Sequence, residues 1–314
     1  MSRPFPVAKR GVRFFIDADA KCAAKSRQID WYLQWWTKKY KRWEDRTFII
    51  LDTFLDARRC FIDVGSWIGP TVLYAAAKAE HIYCFEPDPE AYRVLILNVS
   101  VNPQYRNVTV LNTALAASDG RALLRSPGHL GDSASTIVVQ PVRTPPDGGV
   151  ALIRDRTDVA RGESTVEVPT ITMDTFQQRH PIDGCSLVKI DIEGGEKIVL
   201  PALEPFLRRY RPTLYLSLHW IWLTETEIES LFDLVSSIYD CIYDDSLLRT
   251  LDRRRLVSEK VSSIVCTSTP LSALQRLRIR RMILTRWFRH ALDSARVSVS
   301  ATRDPEPARE IENV

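Results

Sequence analysis

Between residues 60 and 266 the chain alternates short apolar runs with stretches of helical spacing. Residues 60–64 form an apolar run. Residues 69–79 follow with Val72, Leu73 and the small residues Ala75, Ala76 and Ala77, which suit a helix packed on a sheet. Residues 82–85 predict a second strand and residues 89–99 a second helix. Further strands are expected at 108–112, 187–190 and 213–218, with a helix from about 196 to 207 between the last two. Residues 223–237 read as another helix, opened by Thr224 with Glu227 three positions on, the pair that makes a capping box. Residues 238–243 and 261–266 have the pattern of a closing hairpin. Strands separated by helices imply βαβ units, a parallel sheet and right-handed crossovers, so the expected class is α/β.

Three segments fall outside this alternation. Residues 25–58 read as helical and aromatic-rich, and Ile29, Tyr32, Trp36, Tyr40 and Trp43 recur at three- and four-residue spacing. Such a stripe is either core or a stacking platform for a sugar ring. Residues 126–165 are rich in Pro, Gly, Asp and Ser and read as a long loop insertion, closed by an alternating strand at 165–172. Within it, Gly131, Asp132, Ser133, Ala134 and Ser135 are a candidate lid. The polar tail after about residue 305 is expected to be disordered. The expected organisation is an N-terminal helical extension (1–58), a central domain (59–268, with the 126–165 insertion) and a basic C-terminal helix with its tail (269–314).

Composition narrows the class. The 314 residues are 45% hydrophobic and 26% charged, which is ordinary globular usage. No apolar run approaches the ~18 residues of a membrane span, and residues 1–21 lack the apolar core of a secretory signal. Cys22, Cys60, Cys84, Cys185, Cys241 and Cys266 are scattered, which argues against a zinc ribbon or disulfide scaffold and fits a reducing cytoplasm. The net charge of +4 is unevenly spread: +7 over residues 1–60, −7 over 61–270 and +4 over 271–314. An acidic middle between basic ends is not the single basic face of a nucleic-acid-binding domain, and no nucleic-acid partner is expected.

The chemistry is carried by the carboxyl ends of the predicted strands. Asp63, Gly65 and Gly69 form D-x-G-x-x-x-G between the first strand and its helix. A glycine there admits close approach of a ligand, and the helix start offers free N–H groups. The G-x-G-x-x-G of dinucleotide enzymes is absent, with Asp63 in place of its first glycine. Glu86 ends the second strand 21 residues after Gly65, the distance at which an acid accepts both ribose hydroxyls of an adenosine ligand. Asp88 can serve as the helix cap and leave Glu86 free. Asp63 is placed to meet a cationic group, so S-adenosylmethionine, with an ammonium, a sulfonium and no phosphate, fits by charge. Asp191 and Glu193 end the fourth strand and should face the same crevice, with Lys189 on the same side by alternation. A D-x-E pair can bind a hard cation, but no third ligand is evident and no metal is expected.

These blocks together resemble the FkbM-type family of S-adenosylmethionine-dependent methyltransferases. The resemblance rests on Trp43-Glu44, F-I-D-V-G-S-W-I-G-P (61–70), F-E-P-D-P (85–89), N-T-A-L-A-A-S-D-G (112–120), K-I-D-I-E-G-G-E (189–196) and L-S-L-H (216–219). It implies a Rossmann-like, seven-stranded, mostly parallel sheet. It also implies cofactor binding by Asp63, Gly65 and Glu86, with Glu44, Ser66, Gly69, Asn112 and Asp191 completing the candidate set, and O-methylation of a hydroxyl on a sugar, glycan or natural product. Ser217 departs from the pattern, standing where the family often has glutamate before the strand-end histidine.

Methyl transfer to a hydroxyl needs alignment and a base. His219, at the end of the fifth strand, has a suitable ordinary pKa, and Asp191, one strand over, is its rival for that role. Two alternatives are a nicotinamide-dependent oxidoreductase and a non-catalytic scaffold of the same fold. The acceptor is expected to be a small molecule or glycan. Residues 275–290 hold Arg276, Arg278, Arg280, Arg281, Arg286 and Arg289 and no acid, with Leu277, Met282, Ile283 and Trp287 at partial helical spacing. That segment is either a peripheral membrane contact or a helix packed back on the acidic middle.

Overall fold

A computed structural model of the protein describes residues 3–20, 29–138 and 164–285. The chain divides into two compact units, Met1–Pro270 and Leu271–Val314. The first opens with strands β1 (Pro4–Lys9) and β2 (Val12–Asp17). Helix α1 (Ile29–Gln34) runs into a π-helical turn (Trp35–Lys39), and α2 (Asp45–Phe54) follows. Then come β3 (Cys60–Val64), α3 (Pro70–Ala75), β4 (Ile82–Phe85), α4 (Pro89–Ser100) and β5 (Val108–Leu111). Three strands that leave the main sheet are β6 (Ala114–Leu115), β7 (Gly120–Ser126) and β8 (Thr136–Val138), joined later by β9 (Ser164–Ile171). The chain returns through α5 (Met173–Arg179), β10 (Cys185–Ile190), α6 (Glu196–Tyr210) and β11 (Thr213–Ser217). It finishes with α7 (Glu225–Ile238), β12 (Cys241–Asp244), α8 (Arg253–Ser258) and β13 (Ser263–Thr267).

The main sheet has seven strands in the order β12-β13-β11-β10-β3-β4-β5, parallel except for β13, which runs antiparallel to both neighbours. All seven are the strands read from the apolar runs. Order reverses beside β3, the first strand of the sheet, so the crevice outside its carboxyl end is the ligand-binding place of such folds. Ile62, Val64, Val188, Ile190, Leu214 and Leu216 alternate onto one face and form a core with Val199, Leu203, Leu231 and Val235 of α6 and α7. The opposite face carries a row in register: Cys84, Asp63, Lys189, Tyr215, Val265 and Tyr243. Asp63 and Lys189, an acid and a base buried side by side in that row, are the first sign of a functional face.

The N-terminal region is corrected in one respect. Residues 4–17 are not helical but an antiparallel hairpin. Val7, Lys9, Phe14 and Ile16 face inward with period two, and Arg10 and Gly11, both at positive φ (48° and 87°), close it with a two-residue turn. Asn98 on α4 and Asn102 just past its end extend it: their side-chain oxygens accept from the N–H groups of Asp17 (3.0 Å) and Phe15 (2.8 Å). These residues belong to the same compact unit as the sheet. The aromatic stripe is core, with Tyr32, Trp36 and Tyr40 buried. Buried Lys9 caps the end of that segment, donating to the carbonyls of Tyr40 and Trp43 and to Asp45 at 2.8–3.0 Å.

Around the insertion, β7 pairs antiparallel with both β8 and β9 in a sheet separate from the main one. Residues 139–163 of the insertion, the tail after 285 and the last part of the basic segment lie outside the described residues. Among the described residues no helix is long and apolar enough to cross a membrane.

Candidate active site

Gly65 sits at φ +85° directly after β3, and the bend it permits brings β3 against the end of β10. A Cβ built on Gly65 would overlap the carbonyl oxygen of Asp191 and crowd Ile192. The space it keeps open is therefore protein backbone rather than ligand. Gly69, also at positive φ, starts α3, and a Cβ there would run into Leu95. Ser66 is buried and donates to the carbonyl of Asp63 at 2.9 Å. Ser66 and Gly69 thus shape the turn.

Glu86 lies at the end of β4, only 6% exposed. Its two oxygens accept from the backbone N–H of Trp67 (2.7 Å) and of Asp88 (2.9 Å). Burial, then the nearby Asp88, pushes its pKa up to about 8. Trp67 reaches this bond in the left-handed region (φ 48°), a conformation costing about 1–2 kcal/mol for a side-chain-bearing residue. Asp88 caps α4 and also accepts from the N–H of Gly131 (2.7 Å) and the hydroxyl of Ser135 (3.1 Å). The Trp67 indole donates to the Gly131 carbonyl at 3.1 Å. The 131–135 loop is thereby tied over Glu86. Asn112 donates to the carbonyls of Glu86 (2.9 Å) and Pro87 (3.2 Å), so it braces this turn from behind.

Trp67, Glu86 and Ser135 line a pocket walled by Phe85, Leu115, Leu124, Ile137 and Val199 and floored by Gly65 and Asp191. The residues present suit an adenosine-type cofactor, with Glu86 at the sugar and the apolar wall at the base.

Beyond Asp191 the site becomes densely charged. Asp63 is fully buried, accepting from the Thr71 hydroxyl at 2.5 Å with Lys189 Nζ 3.4 Å from its other oxygen. Lys189 is also 3.1 Å from Asp191, and burial, which alone would lower its pKa, is overcome by Asp191, Asp63 and Glu44. Burial raises the pKa of Asp63 despite Lys189. Asp191 is likewise pulled up by burial, but Lys189 and His219 outweigh that and hold its carboxyl well below the usual range.

His219 Nδ1 is 2.6 Å from Oε1 of Glu196, a fully buried carboxyl at the start of α6. Nε2 lies 3.4 Å from Asp191 and 3.5 Å from Glu193. Burial opposes its charge, yet the bonds to Asp191 and Glu196 dominate and push its pKa up to about 10. It is an imidazolium at neutral pH, pinned on both sides, and has no free lone pair with which to act as a base. Glu193 (φ 52°) turns the chain after β10 and accepts from the Trp222 indole at 3.2 Å.

Glu44 precedes α2 in the left-handed region (φ 41°). Its Oε2 accepts from the Thr47 hydroxyl at 3.1 Å, and Thr47 is 2.9 Å from the hydroxyl of Tyr215 on β11. Glu44 is exposed as a whole residue, while the protein around its carboxyl removes part of its water. That desolvation, reinforced by Asp191 and opposed by Lys189, pushes its pKa up to about 7.

The site thus brings Asp63, Gly65, Glu86, Asp191, His219 and Glu44 to one side of the sheet edge, while Ser66, Gly69 and Asn112 act on backbone. Lys189, Glu196, Trp67, Thr47 and Tyr215 were not among the expected site residues. The alternation of Lys189, Asp191 and Glu193 signalled the first; nothing local signalled Tyr215, which depends on strand order.

The profile of the Methyltransferase FkbM domain matches residues 63–244, more than half of the chain, and the protein belongs to that family. No curated protein matches it significantly. Among solved structures, an FkbM methyltransferase from Methylobacillus flagellatus KT is 16% identical over 68% of this chain and 44% of its own, with a TM-score of 0.40. The present chain therefore spans less than half of that protein. A precorrin-6y C5,15-methyltransferase from Geobacter metallireducens GS-15 is 12% identical over 64% of this chain and 72% of its own (TM-score 0.33). An rRNA methylase from Streptococcus thermophilus is 9% identical over 72% and 95% (TM-score 0.38).

Proposed function

We propose that this methyltransferase takes its methyl group from S-adenosylmethionine and delivers it to a hydroxyl of a small-molecule or glycan acceptor. The observation that carries this reading is the join between two unlike regions. An apolar slot beside Glu86 leads directly to a cluster in which five carboxyl groups (Glu44, Asp63, Asp191, Glu193, Glu196) face two cations (Lys189, His219). That surplus of acid favours a cationic nucleoside over a phosphate-bearing one. When bound, S-adenosylmethionine supplies an activated methyl group on a sulfonium.

The chain's own residues do the rest. Glu86 accepts the ribose hydroxyls, its carboxylate already oriented by two backbone N–H groups. Asp191, kept ionised by Lys189 and His219, holds negative charge at the donor's cationic end. Glu44 takes the acceptor's proton on Oε1, which makes no bond among the described residues. A base with a pKa near 7 is half ionised at neutral pH and strong enough to assist a hydroxyl. His219 is a positioning residue that fixes the Asp191 side of the cleft.

Calorimetry with S-adenosylmethionine and with NADH, followed by transfer of labelled methyl to fractionated glycans and small molecules, tests the reading. Donor binding with label in a hydroxyl-bearing fraction supports it. Binding of NADH alone overturns it, and donor binding without turnover on any fraction favours the non-catalytic scaffold.

A further inference from the structure

The helical residues 273–285 have two apolar faces. At about 100° per residue, Ile279, Met282 and Ile283 share one side, and Ile279 is fully buried with the other two half-buried. Leu274, Leu277 and Leu284 fall on the opposite side, within an arc of about 80°. They are 57%, 64% and 57% exposed. Exposed leucines in a row mark an interaction site.

Charge identifies the occupant. Arg281 lies inside the leucine arc, with Arg278 and Arg280 at its two margins, all exposed. No acidic residue occurs from 271 to 292. The arginine stems run along apolar surface while their heads reach outward. A helix about 20 Å long, with leucines in the middle of its outer face and arginines within and beside them, matches the boundary between acyl chains and anionic headgroups. An acidic protein groove offers carboxylates but no fluid apolar layer for three side chains presented on a convex surface.

We infer that residues 273–285 form an interfacial helix that seats the protein on an anionic phospholipid surface, with Leu274, Leu277 and Leu284 inserted and Arg278, Arg280 and Arg281 on the headgroups. The inference is independent of the methyl-transfer reading and uses none of its residues. Each arginine near such a surface contributes roughly fivefold in affinity.

The test is co-sedimentation of the intact protein with vesicles of phosphatidylcholine alone and of phosphatidylcholine with phosphatidylglycerol. Binding is expected only to the second kind and should weaken as salt rises. The variant Leu274→Ser, Leu277→Ser, Leu284→Ser keeps every charge and should lose at least about tenfold in affinity. The variant Arg278→Gln, Arg280→Gln, Arg281→Gln keeps every leucine and should lose about a hundredfold. All six positions are exposed, so both variants should melt like the parent. Absence of binding by the parent overturns the inference. So does undiminished binding by the leucine variant, which would mean charge adsorption alone. A parent that is dimeric by sedimentation equilibrium, and turns monomeric only in the leucine variant, also overturns it, because a second copy would then cover the stripe.

Discussion

His219→Gln separates a structural imidazolium from a catalytic base. In the folded chain the pKa of His219 rises to about 10, against an ordinary value of 6.5, because the bonds to Asp191 and Glu196 outweigh burial. A group that holds its proton more tightly when folded stabilises the fold. The stabilisation is full below about pH 6.5 and disappears as pH climbs through about 10. The gap converts to about 5 kcal/mol at most. The ring keeps 19% of its side-chain surface in solvent, which screens part of that gain. About 2–3 kcal/mol is therefore a realistic deficit for the glutamine variant near pH 6. Urea unfolding of both proteins at about pH 6, 8 and 10 should show the deficit shrinking below about 1 kcal/mol at the highest pH. Glu44 and Glu86 titrate in the same window but are present in both proteins, so they cancel in the difference. A deficit that stays constant across the range would refute the imidazolium and return His219 to consideration as a neutral base.

Four other outcomes follow from the geometry. Glu86→Gln turns an amide donor toward the N–H of Trp67 or Asp88 and should weaken S-adenosylmethionine binding by about 1.5–3 kcal/mol in calorimetry; an unchanged affinity removes Glu86 from the donor site. Because ribose hydroxyls favour the ionised carboxyl, donor affinity of the parent should rise with pH through about 8, which the same calorimeter reads as proton release. Gly65→Ala should cost about 2–5 kcal/mol of stability, since its Cβ meets Asp191 and its backbone is left-handed; a folded variant that merely binds donor poorly would contradict this. Glu44→Gln should lower turnover roughly a hundredfold to ten-thousandfold at unchanged donor affinity and abolish the rise in rate through about pH 7, and a preserved rise sinks the base assignment.

Much of the fold was legible because the sheet is buried on both faces. Its strands read as apolar runs, and the helices between them keep a separate period. The hairpin at 4–17 was less legible, because Lys9 occupies an inward position where alternation expects an apolar residue. Its burial becomes intelligible only once the carbonyls of Tyr40 and Trp43 lie over it. Glu86, Asp191 and His219 were legible as strand-end residues. Their charge states were not: His219 alone has the pKa of a base, and Asp191 together with Glu196, which reaches it from the start of α6, makes it a fixed cation. For Gly65 the motif was visible but its cause was not, since the atom that excludes a side chain comes from residue 191, across the sheet.

The stretch from Lys189 to Glu196 is best understood as one electrostatic device. Lys189 and Asp191 are two apart on β10 and its end, so they share a face, and Asp63 stands beside Lys189 in register on β3. One ammonium therefore neutralises part of both acids, 3.4 Å away on one side and 3.1 Å on the other. The left-handed pair Glu193 and Gly194 then reverses the chain, and α6 begins soon enough for Glu196 to reach back to His219. Each cation is thus used by more than one acid, and each of these acids except Glu44 touches a cation. Lys189→Met breaks the device at its centre. It leaves Asp63 and Asp191 buried without their counter-charge, and should cost about 3–5 kcal/mol in urea unfolding, the usual penalty for removing one partner of a buried pair. Adding Asp63→Asn to it removes one of the stranded charges and should recover part of that loss. A double variant no more stable than the single one would show that Lys189 holds its place by packing rather than by charge.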